Sequence, residues 1–219
     1  MHSAVACCAR ALTLVATSMA LFACSSSVEL TPDSAKRALD EYYKVNGDLC
    51  VYLGKLPISV SERELKPAVL SIMTDDPPAK LLALEQLGIV SREKGGKDFT
   101  NSPTVRFDVT EKGRSSVRNV DRQVLTLRGP QTVNRDEFCF AKLRVANVLK
   151  VEEKEGADKQ PQRGLVTYKV EVSDFAVWAD DAAVMKSFPE IRAARKLPEK
   201  EMAKGVMFTN GKWEVGTSF

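Results

Sequence analysis

The chain has 219 residues, with 32 lysines and arginines against 29 acidic residues and one histidine, for a formal net charge of +3. A balance this close to neutral argues against a dedicated nucleic-acid binder, whose affinity rests on neutralising phosphates. A single histidine, placed at His2, leaves little for imidazole-dependent nucleophilic catalysis or histidine-ligated zinc.

Residues 11–23 carry no charge, Arg10 precedes them and Cys24 ends the run. A membrane-spanning helix needs about 20 apolar residues. This run is shorter and matches the hydrophobic region of a cleavable signal. Leu21-Phe22-Ala23-Cys24 closes it, followed by Ser25-Ser26-Ser27. The tetrapeptide resembles the lipobox of bacterial lipoproteins, with Leu21 three places before the cysteine and small Ala23 directly before it. The resemblance implies a signal peptide at 1–23 and a diacylglycerol on the sulfur of Cys24, which becomes the new N-terminus of a tether at 24–30. Stable retention takes more than one acyl chain, at ~0.8 kcal/mol per buried CH₂. Ser25 stands where an aspartate would mark inner-membrane retention. By the same resemblance the outer membrane is favoured, with the body facing the periplasm.

Removal of residues 1–23 would also remove His2, Cys7 and Cys8. With Cys24 acylated, only Cys50 and Cys139 remain as thiols, without the CxxC spacing of redox or zinc motifs. No metal centre or cofactor is expected. An oxidising periplasm favours a Cys50–Cys139 disulfide; the alternative is two separately buried thiols acting as small hydrophobes.

Thr31-Pro32 reads as an N-cap followed by proline at the first helical position. Ala35, Ala38, Leu39, Tyr42 and Tyr43 recur at helical spacing, which predicts a helix over 32–46 stopped by Asn46-Gly47. Cys50 to Leu56 is a short apolar stretch. Ser61 and Glu64 have capping-box spacing, and Val60 and Leu65 that of a hydrophobic staple. The helix they open is kinked at Pro67 or begins there, and ends near Met73. Asp76 is expected to cap a third helix with Leu81, Leu82, Leu84 and Leu87 on its apolar face. Gly88 fits the left-handed position after it. Ile89–Glu93 then reads as a strand, 94–103 as a loop and Thr104–Thr110 as the returning strand.

Within this region Leu84-Glu85-Gln86-Leu87-Gly88-Ile89-Val90, the hairpin, and Asp108-Val109-Thr110-Glu111-Lys112-Gly113-Arg114 resemble a winged helix-turn-helix module of bacterial regulators, covering about residues 61–118. In such regulators the third helix enters the major groove. Here that helix carries only Lys80 as a cation, and DNA is absent from the periplasm, so no nucleic-acid partner is expected.

Residues 119–137 are polar and read as a connector. Phe138 to Val151 alternates, placing Cys139, Ala141, Leu143, Val145, Leu149 and Val151 on one face, and Val166, Tyr168, Val170 and Val172 alternate in a second strand. Asp180 to Arg195 predicts a helix interrupted near Pro189. Asn210-Gly211 between two apolar runs is a two-residue hairpin signal. The expected fold is α+β: a helical, winged-helix-like part at 31–118, the connector at 119–137, and an antiparallel β-β-α-β-β part at 138–219.

Chemical motifs are sparse. Ser91 and Lys94 have the Ser-x-x-Lys spacing of penicillin-binding enzymes without that family's companion elements. The acidic pairs Asp75-Asp76, Glu152-Glu153 and Asp180-Asp181 could supply two carboxylates, but solvated charge accounts for them. Trp178, Trp213, Phe175 and Phe188 could line a cleft or a core. The expectation is a non-catalytic, lipid-anchored envelope protein that binds or supports another envelope component. The alternatives are an inhibitor or immunity lipoprotein, a histidine-free enzyme acting on peptidoglycan, or a protein whose basic segment 92–128 meets anionic headgroups.

Overall fold

A computed structural model describes residues 29–66, 76–154 and 162–216. The expected signal and lipobox with Cys24 lie outside the described residues, as do the continuation of the second expected helix beyond residue 66 and Asp75. No described helix is long and apolar enough to cross a membrane.

The first helix, α1 (Pro32–Asn46), opens where the sequence places it. Thr31 Oγ1 accepts from the Ser34 amide at 3.2 Å, and Ser34 Oγ accepts from the Thr31 amide at 2.9 Å. It also ends where expected, at Asn46, though by a different cap. Gly47 is right-handed at φ −86°, so no left-handed cap stops the helix. A Cβ there would lie 2.6 Å from the Leu143 carbonyl oxygen, so the glycine serves a close approach to a neighbouring strand.

The elements that follow are β1 (Asp48–Tyr52), β2 (Ile58–Ser61), α2 (Pro77–Gln86), β3 (Val90–Lys97), β4 (Pro103–Val109), β5 (Val117–Thr126), β6 (Gly129–Lys154), β7 (Arg163–Ser173), α3 (Ala182–Ser187), α4 (Pro189–Arg195), β8 (Met202–Thr209) and β9 (Lys212–Val215). They form a mixed α and β protein with two antiparallel sheets. The smaller sheet runs β2-β4-β3; the larger runs β1-β6-β7-β8-β9, with β5 also paired to β6.

At the end of α2, the Ile89 amide donates to the Leu84 carbonyl at 2.9 Å and the Gly88 amide to that of Glu85 at 2.8 Å. Gly88 has φ +68°. This is the paired-bond C-terminal cap that only a residue free to turn left-handed completes cheaply. Asp76 occupies the N-cap position, but its side chain makes no capping hydrogen bond. Ser61 and Glu64 do meet, the Ser61 amide donating to Glu64 Oε2 at 2.9 Å, although residues 62–65 form turns rather than helix.

The long strand β6 organises the molecule. Val51 and Val117 both pair with Phe138, so β1 and β5 flank opposite edges; Asp48 and Ser173 both pair with Lys142, so β7 follows β5 along the same edge. Residues 119–137, expected as a connector, are therefore the paired strands of a hairpin. Beyond Glu137 no other described strand pairs with it; the Leu56 amide donates to Asp136 at 3.1 Å and Arg135 lies over the Tyr52 ring at its base, and from there it extends as a two-stranded arm, about 25–30 Å long in all. Leu125 and Leu127 near its tip are 86% and 108% exposed.

Along β6 the alternation expected from Phe138 to Val151 holds only in part. Ala141, Leu143 and Val145 are buried, but Leu149 is exposed. Register breaks between Val145 and Asn147 and between Val148 and Lys150 reset which side chains face the core. The terminal hairpin turns at Asn210 and Gly211, with φ of 51° and 80°, as Asn-Gly requires.

Two cores result. One joins the smaller sheet, α2, α3 and α4 with Val51, Phe138 and Phe140 of the larger sheet. The other packs α1 on β6–β9 through Leu39, Tyr43, Val166, Tyr168 and Val206. Elements expected to divide between 31–118 and 138–219 are thus interleaved in space: α1 and β1 join the large sheet, while α3 and α4 cover α2.

Candidate binding cleft beside the disulfide

Cys50 and Cys139 face each other across β1 and β6 and form a disulfide. Next to it opens a cleft of about 630 Å³, within the usual range for small-ligand sites. Cys139, Phe140 and Ala141 of β6 form its floor, and Leu87 and Ile89 at the end of α2 one wall. The opposite wall is Ala176, Val177 and Trp178, which follow β7. That wall is fixed by two bonds. The Ala176 amide donates to the Phe140 carbonyl at 2.8 Å, and Trp178 Nε1 donates to Ser116 Oγ at 2.9 Å.

Charge gathers at the rim. Arg118 pairs with Asp48, and Asp174 with Arg144 at 2.8 Å. Asp181 caps α3, accepting from the Ala183 amide at 2.8 Å. Lys112 donates to the Leu87 carbonyl at 2.8 Å. Lys142 is exposed and, among the described residues, has no carboxylate partner. A second, polar groove of about 480 Å³ adjoins the cleft and shares Asp48, Arg118 and Lys142 with it.

Of the four aromatic residues singled out in the sequence, only Trp178 lines the cleft. Phe188 is fully buried beside it, with ring centroids 5.9 Å apart. Phe175 lies under the Arg195 guanidinium at 4.3 Å. Trp213 belongs to the other core, 5.5 Å from Phe208. Tyr43 and Tyr168 share a buried hydroxyl contact of 2.6 Å.

The remaining candidates do not converge. Ser91 and Lys94 both lie on β3 at odd spacing, which sends their side chains to opposite faces. Asp180 pairs with Arg195 while Asp181 caps a helix. Glu152 meets Lys150 at 2.5 Å, and that hydrogen bond draws its pKa down. Thr100 draws Asp98 down from within its turn, and Lys212 does the same for Glu214. These shifts stabilise charged carboxylates, whereas a general acid needs its proton held. Among the described residues no three His, Cys, Asp or Glu side chains gather as metal ligands.

Lys112, Lys142 and the Leu87–Ile89 wall were not singled out as a site in the sequence. Their proximity depends on β6 passing between the two halves of the chain, which no local pattern announces. Comparison with protein-family models, curated proteins and solved structures finds no match to this chain.

Proposed function

We propose that the protein is a non-catalytic, lipid-anchored envelope protein, held in the outer membrane by Cys24, that presents a binding body to another envelope component. One observation carries the reading. Leu30, where the tether ends, is buried over Gly164, and its amide reaches toward Glu153 at 3.5 Å. Glu153 pairs with Gly164 near one end of β6, while the arm tip turns at Thr126 and Gly129 at its other end. Up to about 80 Å of strand separates them. An anchor at Cys24 therefore holds one end of the molecule at the bilayer and leaves the arm, with its exposed leucines, reaching away.

We read residues 61–118 as a winged-helix-like shape without DNA function. The β2-β4-β3 order supports it, as does the docking of the two quoted motif segments: the Thr110 amide donates to the Ile89 carbonyl at 3.0 Å and Thr110 Oγ1 to that of Gly88 at 2.6 Å. Against DNA contact stands Lys80, the helix's only cation, which is buried against Glu190.

Fractionation tests the anchor. Cys24→Ala should move the protein from the membrane to the soluble fraction; unchanged fractionation would remove the lipoprotein reading. A photoreactive side chain at Leu127 should trap one envelope protein stoichiometrically, while the same group at exposed Val45 traps none. Loss of that difference would remove the binding reading. If the trapped protein were a hydrolase, the inhibitor reading would replace the supporting one.

A further inference from the structure

The apolar cleft and the polar groove are two compartments of one depression, because Asp48, Arg118 and Lys142 line both. The apolar side offers Leu87, Ile89, Ala176 and Trp178, and the other charges on its lining are taken up: Lys112 by the Leu87 carbonyl, Asp174 by Arg144, and Asp181 by the Ala183 and Val184 amides. The polar side offers five cations, Lys36, Lys44, Arg118, Lys142 and Arg144, against three carboxylates, Asp40, Asp48 and Glu171.

Most of these charges are already committed. Lys36 pairs with Asp40 at 2.7 Å, Arg118 with Asp48, and Arg144 with Asp174 at 2.8 Å, while Glu171 sits opposite Arg144 in the β6–β7 register. Lys44 and Lys142 are exposed and have no carboxylate partner among the described residues. The seam between an apolar wall and a polar groove therefore carries two ammonium groups not held in an ion pair among the described residues, Lys142 standing across the register from Asp48, which Arg118 already engages. Apolar contact supplies most of the affinity in such a site, and a charged group fixes orientation.

We propose that this depression binds a single-chain amphiphile with an anionic head, its chain along Leu87, Ile89, Ala176 and Trp178 and its head between Lys142 and Lys44. A neutral amphiphile would leave both ammonium groups unanswered, and a small anion would gain nothing from the apolar wall. The inference goes beyond the binding reading given above and depends on neither the arm nor the lipid anchor.

Titration calorimetry on the full chain carrying Cys24→Ala, which has no acyl chain of its own, tests it. The probes are dodecanoate below its micelle concentration, dodecanol and inorganic phosphate. One dodecanoate should bind per chain, dodecanol at least tenfold more weakly, and phosphate not measurably. Lys44→Gln/Lys142→Gln should bring dodecanoate down to the affinity of dodecanol while the unfolding temperature stays that of the parent. Binding of dodecanoate should also change Trp178 fluorescence in a Trp213→Phe background. Equal affinity for the acid and the alcohol, unaltered dodecanoate binding in the lysine variant, or no saturable uptake would overturn the proposal. None of these outcomes bears on the membrane fractionation of the wild-type chain or on trapping at Leu127, so the readings fail separately.

Discussion

Lys80 of α2 and Glu190 of α4 meet at 2.6 Å, with the lysine only 6% exposed. The ammonium also lies 5.5 Å from the Phe188 ring centroid. The one cation of α2 is thus turned inward, joining elements 110 residues apart. Glu190→Ala should strand a buried ammonium and cost about 2–3 kcal/mol, somewhat below a fully buried pair because the glutamate is partly exposed. Lys80→Met/Glu190→Gln, which keeps the volumes and removes both charges, should stay within about 1 kcal/mol of the parent. Urea unfolding midpoints separate the two, and equal losses would mean that packing rather than charge pairing governs the site.

The disulfide joins residues 89 apart in sequence. In the chain-entropy account, closing a loop of that length stabilises the fold by up to ~4.6 kcal/mol. Reduction, or Cys50→Ala/Cys139→Ala, should lower the urea midpoint accordingly. Thiol labelling of the denatured, non-reduced Cys24→Ala chain should leave Cys50 and Cys139 unmodified. Modification of both would mean that the bond is not formed in the protein.

Gly88 and Gly113 are constrained for different reasons, and the difference is measurable. Gly88 is left-handed with open space where a Cβ would sit, so Gly88→Ala should cost about 1 kcal/mol of conformational strain. At Gly113 a Cβ would lie 2.0 Å from the Ile89 carbonyl oxygen. Gly113→Ala must push the Thr110–Arg114 segment off α2's end and should destabilise more than Gly88→Ala. Thermal unfolding of the two variants checks the order.

These glycines also show what could be read from sequence. Signals carried within a few residues were legible: the Thr31 cap, the left-handed Gly88, the Asn210-Gly211 turn and the break at Pro189 all appear where local chemistry places them. Leu149 was misplaced because alternation assumes an unbroken register, and two irregularities in β6 interrupt it. Residues 119–137 read as a connector because a ribbon without a core to face has no reason to alternate apolar and polar residues. Its Asn119, Asn134, Asp121 and Asp136 bond across the strands instead, at 2.7–3.0 Å. The cleft was the least legible feature, since its lining comes from five separate segments; Cys139, Trp178 and Asp181 stood out in the sequence for unrelated reasons, and no local pattern joins them.

The tyrosine pair gives a pH dependence. In the unfolded chain a phenol ionises near pH 10. Burial, and then the hydrogen bond with Tyr43, raises the pKa of Tyr168 far above that. The contribution of the neutral phenol is complete below about pH 10 and declines as pH rises further, because there only the unfolded state releases the proton. Tyr168→Phe should flatten that alkaline decline, while costing about 1–2 kcal/mol at neutral pH by stranding the Tyr43 hydroxyl. Unfolding free energies measured from pH 7 to 11 test both effects; an unchanged alkaline slope would show that other groups govern it.

Shortening the arm tests the proposed binding apart from stability. Arg122 and Val133 are directly paired, and Arg122 holds the buried Glu137 through two hydrogen bonds at 2.9 and 2.6 Å. Beyond that pair no residue of the ribbon is buried. An isolated two-stranded hairpin is marginal on its own, so the segment is retained at little benefit to the fold. Replacing residues 123–132 with Asn-Gly, a turn suited to joining directly paired residues, removes Leu125, Leu127 and Arg128 and spares the Arg122–Glu137 pair. Loss of exposed surface of this kind should change stability by less than about 1 kcal/mol, while abolishing any complex trapped at the tip. A shortened protein that unfolds, or that retains the complex, would place the arm in the fold rather than in the interface.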